Sequence, residues 1–244
     1  MVIEKIEGKE LTIELSYRCP LECIHCSSVN IPGELTKLKI FDSIEKVKPD
    51  FLRISGGEPL VHDLENLGIF ESGLKIIMQT TGIGETRYLT DFDIEVVRFS
   101  IYGNKKFHNY ITQRCSYDTT IKVLEDCIDR SNSEVQLTTP IFRKNPLNDV
   151  INLAENLGVS VRIAKLLPHG RAKNIPKFVL SQNEQINIAS EYLDYPNIIV
   201  TDSLLESHIC NVKYKFTLLP SGEIKSCVAG KHGCYNKNKI CDGI

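Results

Sequence analysis

The sequence predicts an α/β fold built on a parallel sheet, and three observations predict it. Six strand-like runs alternate with helix-like stretches, the links between them are short, and the motifs that carry chemistry fall at the carboxyl ends of the strand-like runs. Alternation with short links implies right-handed crossovers between neighbouring parallel strands. In barrels made of such units the reactive groups gather at the carboxyl ends of the strands, and the same placement is expected here.

The elements follow in order. Residues 11–17 alternate apolar and polar side chains, the pattern of a strand. The apolar run Phe51-Leu52-Arg53-Ile54 reads as a buried strand. Further strands are expected at 74–80, 96–102, 135–142 and 161–167, with amphipathic segments near 35–47, 60–71, 117–130 and 147–157; Gly158 marks the stop of the last. In the tail, 214–219 and 223–227 flank Pro220-Ser221-Gly222, which predicts a hairpin.

The chain has 244 residues, enough for one large domain or a domain with an appendage. With 42% hydrophobic and 25% charged residues it can form a sizeable core. A formal net charge of −2 argues against a general binder of nucleic acid or of an anionic membrane. There is no run of 18 apolar residues, and residues 1–10 are charged, without the apolar core of a signal peptide. A cytoplasmic location is therefore expected, where nine cysteines serve as metal ligands or buried thiols rather than disulfides.

The most informative motif is Cys19-Pro20-Leu21-Glu22-Cys23-Ile24-His25-Cys26, a C-x3-C-x2-C spacing that lets three thiolates converge from one loop. Three sulfurs on a [4Fe–4S] cube leave one iron without a protein ligand, free to bind a small molecule. The competing readings are a structural zinc loop and disulfides, but zinc loops favour C-x2-C pairs with a second pair or histidines. Downstream lies Gly56-Gly57-Glu58-Pro59, at the end of the 51–55 strand. Its glycines permit close backbone approach to a ligand, so a side chain at Gly57 is expected to intrude on ligand space; Pro59 can open a following helix.

These two motifs together resemble the radical S-adenosylmethionine (radical SAM) enzymes. The resemblance implies a partial, TIM-like (β/α)6 barrel over residues 1–200, with Cys19, Cys23 and Cys26 on a [4Fe–4S] cluster whose open iron chelates the methionine moiety of SAM. It also implies that Gly56, Gly57, Glu58 and Pro59 contact the methionine amino group, that His25 lies by the adenine, and that Thr81 and Ser100 lie near the cofactor. Each of the last three also has a plainer reading as a turn residue or satisfied core group. The segment Pro168-His169-Gly170-Arg171 resembles a P-x-G-R/N element of the branch that holds molybdopterin-type cyclases and peptide-modifying enzymes. Arg162, Lys165 and Arg171 could meet an anion there, or be solvated surface charges.

Residues 201–244 hold a second cysteine set, Cys210, Cys227, Cys234 and Cys241. The C-x11-G-x4-C pattern from Cys210 to Cys227 resembles the opening of SPASM and twitch extensions, which implies one auxiliary [4Fe–4S] cluster beside the predicted hairpin. The spacings after Cys227 depart from the usual C-x2-C, and zinc is the competing occupant. Cys115 and Cys127 fit neither set; Cys127 falls on an apolar helix face as a buried thiol.

The implied chemistry is reductive cleavage of SAM to a 5′-deoxyadenosyl radical, which abstracts hydrogen from a substrate. A flavodoxin- or ferredoxin-type donor would supply the electron. The first functional reading is modification of a ribosomally made peptide; about ten residues precede the first predicted strand, so a separate protein could supply peptide recognition. The second is oxidation or cyclisation of a small cofactor or antibiotic precursor, and the third a non-catalytic iron–sulfur or zinc scaffold.

Overall fold

A computed structural model describes residues 2–3, 8–27, 32–143, 146–201, 204 and 214–226. Ten strands form one sheet: β1 (Val2–Ile3), β2 (Glu10–Glu14), β3 (Phe51–Ser55), β4 (Lys75–Thr80), β5 (Val96–Ser100), β6 (Glu134–Pro140), β7 (Ser160–Ala164), β8 (Ile198–Val200), β9 (Lys215–Leu218) and β10 (Ile224–Ser226). Their order is β1-β8-β7-β6-β5-β4-β3-β2-β9-β10. All neighbours run parallel except the β9–β10 hairpin. The sheet does not close on itself, as a partial barrel requires. The helices are α1 (Lys37–Val47), α2 (Tyr88–Asp91), α3 (Lys105–Thr112), α4 (Tyr117–Arg130), α5 (Leu147–Leu157) and α6 (Gln182–Ser190).

The six expected strands are β2 to β7. Four of them, β2, β5, β6 and β7, leave the ladder two or three residues before the apolar pattern ends. The residues beyond, among them Leu15, Ile101, Tyr102, Phe142 and Leu166, are still buried. They pack in loops above the sheet, so hydrophobicity there marks the site's support rather than more strand. The segment 60–71 is not an α-helix but two 3-10 turns, Pro59–Val61 and Phe70–Ser72. Between them Asp63 accepts the Asn66 amide on its side chain, and Gly68 takes φ +70°, both turn-forming choices that break a regular helix. In contrast α4 and α5 match expectation, with Gly158 as a left-handed cap (φ 69°) on α5. The hairpin forms where Pro220-Ser221-Gly222 predicted it, and β9 lies parallel to β2, so the tail strands share the sheet of the preceding residues.

The register gives the sheet two unlike faces. On one, Leu11, Ile13, Leu52, Ile54, Met78, Val97, Phe99, Leu137, Val161 and Ile163 form a continuous core with Ile40 of α1, Leu124 of α4 and Val150, Ile151 and Ala154 of α5. The other carries Glu10, Thr12, Glu14, Arg53, Arg98, Ser100, Gln136 and Thr138, nearly all of them buried too. Buried polar groups persist only when paired. Arg53 grips Glu10 with two hydrogen bonds, of 2.7 and 2.9 Å; Thr12 donates to the same carboxylate; and Arg98 donates to Gln136 at 2.9 Å.

Glu10 joins three strands, because its backbone amide also donates to the Tyr214 carbonyl just before β9. Burial alone would raise its pKa; the charge and hydrogen bonds of Arg53, with help from Thr12 and Lys215, bring it down to about 2. A carboxylate depressed in this way stabilises the fold above its unfolded value of 4.5, and that contribution fades as pH falls towards 2. Glu10→Gln removes the carboxylate that holds buried Arg53 with two hydrogen bonds and should cost about 3 kcal/mol at neutral pH. It should also flatten the pH dependence of stability below the unfolded value. Urea titrations at a series of pH values check both effects, and an unchanged urea midpoint would count against them.

Candidate functional site

Cys19 lies five residues past the end of β2, and the cysteine loop is pinned from three sides by backbone hydrogen bonds. The first is the Gly-Gly-Glu-Pro turn after β3: the Gly57 amide donates to the Ser16 carbonyl (2.7 Å) and the Glu58 amide to the Arg18 carbonyl (2.8 Å). The second is the end of α3, where Glu22 and Ile24 donate to the carbonyls of Thr112 and Ile111. The third is the segment after β7, where the Arg171 amide donates to the Cys26 carbonyl at 2.9 Å. A tight turn, from the Cys26 amide to the Cys23 carbonyl, closes the loop. Cys19 is exposed, Cys26 half-buried and Cys23 buried.

The glycines of the turn act against the loop itself. A Cβ on Gly57 would sit 1.9 Å from the Arg18 carbonyl oxygen, and one on Gly56 would sit 2.7 Å from the Ser16 carbonyl oxygen. The expectation that a side chain at Gly57 intrudes on ligand space is therefore corrected: its first clash is with the cysteine loop. Glu58 turns inward, only 1% exposed. One carboxylate oxygen accepts from the Leu60 amide and the Thr80 hydroxyl, the other from the Thr81 amide and hydroxyl. Burial pushes its pKa up against the pull of these four donors. Pro59 opens a 3-10 turn, not a full helix.

Thr81 spends its hydroxyl and amide on Glu58, and its carbonyl accepts from Thr120 of α4 at 2.8 Å. Ser100 ends β5 on the polar face, two residues before the buried Tyr102. The His25 ring packs edge-on against Tyr102 and Phe142, with centroids 4.6 and 5.3 Å away. Burial, then the charge of Arg171, lowers the His25 pKa to about 3, so the imidazole is neutral, and its Nδ1 has no protein partner. The structure thus brings Cys19, Cys23, Cys26, His25, Tyr102 and Arg171 together. Arg162 lies on the polar face of β7 and donates to Thr138. The cysteines at 210, 227, 234 and 241 lie outside the described residues, whereas Cys127 is buried on α4, as expected.

Sequence reasoning missed a second anchor. Arg18, next to Cys19, forms an ion pair with Glu34 and donates to Nδ1 of the buried His62 at 3.1 Å; Nε2 of that ring meets the Ser16 hydroxyl at 3.0 Å. Nδ1 of the same ring also lies 3.3 Å from the Glu34 carboxylate, so Arg18, Glu34 and His62 form one cluster. The partners are up to 46 residues apart in sequence, and no local pattern announces them.

The donor set fits an iron–sulfur cluster. Thiolates are the soft ligands such clusters take. Burial first, and the thiols of Cys26 and Cys19 after it, push Cys23 up to about 12, so a bound cation is what would hold it ionised. Among the described residues no three His, Cys, Asp or Glu side chains are gathered tightly enough for a single metal ion. Gly57→Ala should lose about 2 kcal/mol of stability in the cluster-free protein, because the new methyl displaces loop backbone. A purely ligand-facing glycine would leave the melting temperature of the cluster-free chain unchanged, and calorimetry distinguishes the two.

No protein-family model matches the sequence. The chain is 29% identical over an alignment of 265 positions to the mycofactocin maturase MftC of Mycobacterium tuberculosis, covering 96% of this chain and 68% of the maturase. It is 24% identical to the GTP 3′,8-cyclase of Clostridium perfringens, over 96% of this chain and 84% of the cyclase. Among solved structures, Streptococcus suis SuiB bound to precursor peptide SuiA superposes with a TM-score of 0.74 at 16% identity, over 95% of this chain and 61% of SuiB. SuiB bound to S-adenosylmethionine gives 0.71, over 60% of that chain. The cysteine loop, the turn clamped onto it, the open parallel sheet and these relatives together support an enzyme of the radical SAM type.

Proposed function

We propose that this enzyme cleaves S-adenosylmethionine reductively at a [4Fe–4S] cluster on Cys19, Cys23 and Cys26, and uses the outcome to modify a ribosomally made peptide. The observation that carries the site is the clamped three-thiol loop at the carboxyl end of β2. Bound there, the cluster and SAM supply the electron transfer and hydrogen abstraction. The chain's own residues position and enclose. The amides of Gly57 and Glu58 are committed to the loop and the carbonyls of Glu58 and Pro59 accept from Val61 and His62, so the turn offers a ligand the carbonyl oxygens of Gly56 and Gly57, which suit the methionine ammonium group. His25, Tyr102 and Phe142 form an aromatic wall beside the thiols that suits a nucleobase.

The peptide reading draws support from the maturase, the more similar of these two relatives, and from the shared fold of SuiB, which was solved bound to a precursor peptide. A second reading, oxidation or cyclisation of a small molecule, is favoured by the likeness to the GTP cyclase. A separate peptide-recognition protein and a flavodoxin- or ferredoxin-type donor complete the proposal, with the cytoplasm as its setting. No helix among the described residues is long and apolar enough to cross a membrane.

The tail is proposed to hold an auxiliary [4Fe–4S] cluster on Cys210, Cys227, Cys234 and Cys241. Support comes from the hairpin: β10 ends at Ser226, one residue before Cys227, and β9 ties it to β2 beside the loop strand. Anaerobic reconstitution should then give about eight irons per chain, two cubes' worth. About four irons with zinc in the tail would sink the auxiliary cluster and leave the first site standing.

Replacing Cys19, Cys23 and Cys26 together by Ala should abolish 5′-deoxyadenosine formation under dithionite, with tail iron retained. Persisting SAM cleavage in that variant would refute the site. Incubation with a candidate precursor peptide and with GTP, followed by mass spectrometry, separates the two substrate readings.

A further inference from the structure

A buried amide on α6 reaches the thiol loop through the segment between them. Gln185, in the first turn of α6, is 1% exposed. Its Oε1 accepts from the Leu166 amide at 2.8 Å, and its Nε2 donates to the Leu166 carbonyl at 3.0 Å and to the Leu180 carbonyl at 3.1 Å. One side chain thus ties together both ends of the segment 166–180, which leaves β7 and returns to α6. The helix start that carries it is itself fixed. Ser181 and Glu184 form a capping box, and Arg143 grips Glu184 with its guanidinium while its own amide donates to the Phe178 carbonyl at 2.8 Å. Between its clamped ends the segment sits on the cysteine loop. The Arg171 amide donates to the Cys26 carbonyl at 2.9 Å. Gly170, at φ +55°, lies so close that a Cβ would sit 2.4 Å from that carbonyl oxygen and 2.9 Å from Ser27. Phe178, Val179 and Ile24 of the cysteine loop pack on one apolar cluster that holds Tyr102 and Phe142.

We propose that Gln185 is a positioning residue for the third thiol: by clamping both ends of the segment 166–180 it keeps that segment seated on Cys26, and so holds Cys26 where a cluster needs it. The proposal rests on the reading of Cys19, Cys23 and Cys26 as cluster ligands. The other anchors of the cysteine loop act elsewhere, the Gly-Gly-Glu-Pro turn on Ser16 and Arg18 and the end of α3 on Glu22 and Ile24. Among the described residues the hold on the Cys26 carbonyl comes from the 166–180 segment. Fixing the two ends of a loop removes much of the freedom of what lies between them. An amide suits this clamp because it offers an acceptor and two donors, here met by one N–H and two carbonyls. Glutamate has the same shape but would set a carboxylate against two carbonyl oxygens. Groups one step removed from a metal site orient its ligands in this way, and their loss weakens metal binding.

The test begins with hydrogen–deuterium exchange, read by mass spectrometry, on the cluster-free full chain. In Gln185→Glu the amides of 166–180 and of 22–27 should both exchange about tenfold faster than in wild type, while those of β3 to β5 keep the wild-type rate. Gln185→Met, which removes the donors and the acceptor without adding charge, should give the same pattern. Ala189→Gly weakens the same helix without touching the clamp, and should leave 22–27 at the wild-type rate. Unchanged exchange at 22–27 in the Gln185 variants overturns the proposal, and so does an equal rise in Ala189→Gly. Failure of both Gln185 variants to fold also overturns it, because the amide would then hold the whole fold rather than one loop. After anaerobic reconstitution, Gln185→Glu should lose iron to a ferrous chelator about tenfold faster than wild type and Ala189→Gly at the wild-type rate. Equal iron loss in all three, despite faster exchange at 22–27, also counts against the role. If wild type itself takes up no iron, the cluster reading fails instead, and the exchange result stands apart from it.

Discussion

The site hangs on a single buried carboxylate. Glu58 gathers the Thr80 hydroxyl, the Thr81 amide and hydroxyl and the Leu60 amide onto two oxygens. These contacts tie the turn after β3 to the end of β4, and Thr81 passes the tie on to α4 through Thr120. The same turn, by the amides of Gly57 and Glu58, carries the cysteine loop. The position of three thiols is thus inherited from a polar knot with no apolar substitute. Hydrogen bonds to a charged group contribute about 1.5–3 kcal/mol each, and a buried donor left without its acceptor costs a similar amount. Removing Glu58 would strand four donors at once, so the knot behaves as a unit.

That knot works because the sheet beneath it has two unlike faces. Helices cover the apolar face and supply the ordinary hydrophobic stabilisation. The opposite face repeats acids, bases and hydroxyls strand after strand, paired laterally as in Glu10 with Arg53 and Arg98 with Gln136. A protein that needed only stability would gain as much from apolar residues there, since buried ion pairs seldom outperform well-packed hydrocarbon. The polar lining instead leads up to Ser100 and the thiol loop, and it gives a reacting site fixed dipoles in place of mobile water. Glu10 has a further use: its backbone amide ties β2 to Tyr214, just before β9, while its side chain ties β2 to Arg53 of β3.

Much of this was legible in the sequence because the signals were local. The 3.6-residue pattern and Gly158 predicted α5 with the bounds it has, and α4 was equally clear. The C-x3-C-x2-C spacing is local by nature. Long-range hydrogen bonding was not legible. Nothing around His62 announces that it meets Ser16 across 46 residues, nor that Arg18 shares it with Glu34. The segment 60–71 looked helical because its apolar residues recur at helical spacing, yet Glu58 and Asp63 offered the backbone side-chain partners that favour turns. Strands β1 and β8, two and three residues long, are too short for any period to register. Helix α6 announced itself only by its Ser181–Glu184 capping box, a cue that hydrophobic periodicity does not weigh.

Gly57 shows why motif reading and physical reading differ. As a motif member it is a cofactor residue; in the structure its missing side chain is what lets Arg18 approach, and its amide is spent on Ser16. With the Glu58 amide spent on Arg18 as well, the turn's donors face the loop and its acceptors are what a ligand can use. Acceptors recognise an ammonium and repel a carboxylate. The two ends of an amino-acid moiety must therefore be held by different means: the ammonium by turn carbonyls, the carboxylate by a metal or a cation. This division follows from how the turn is wired into the loop, so the packing requirement at Gly57 and the proposed polarity of ligand binding are one constraint.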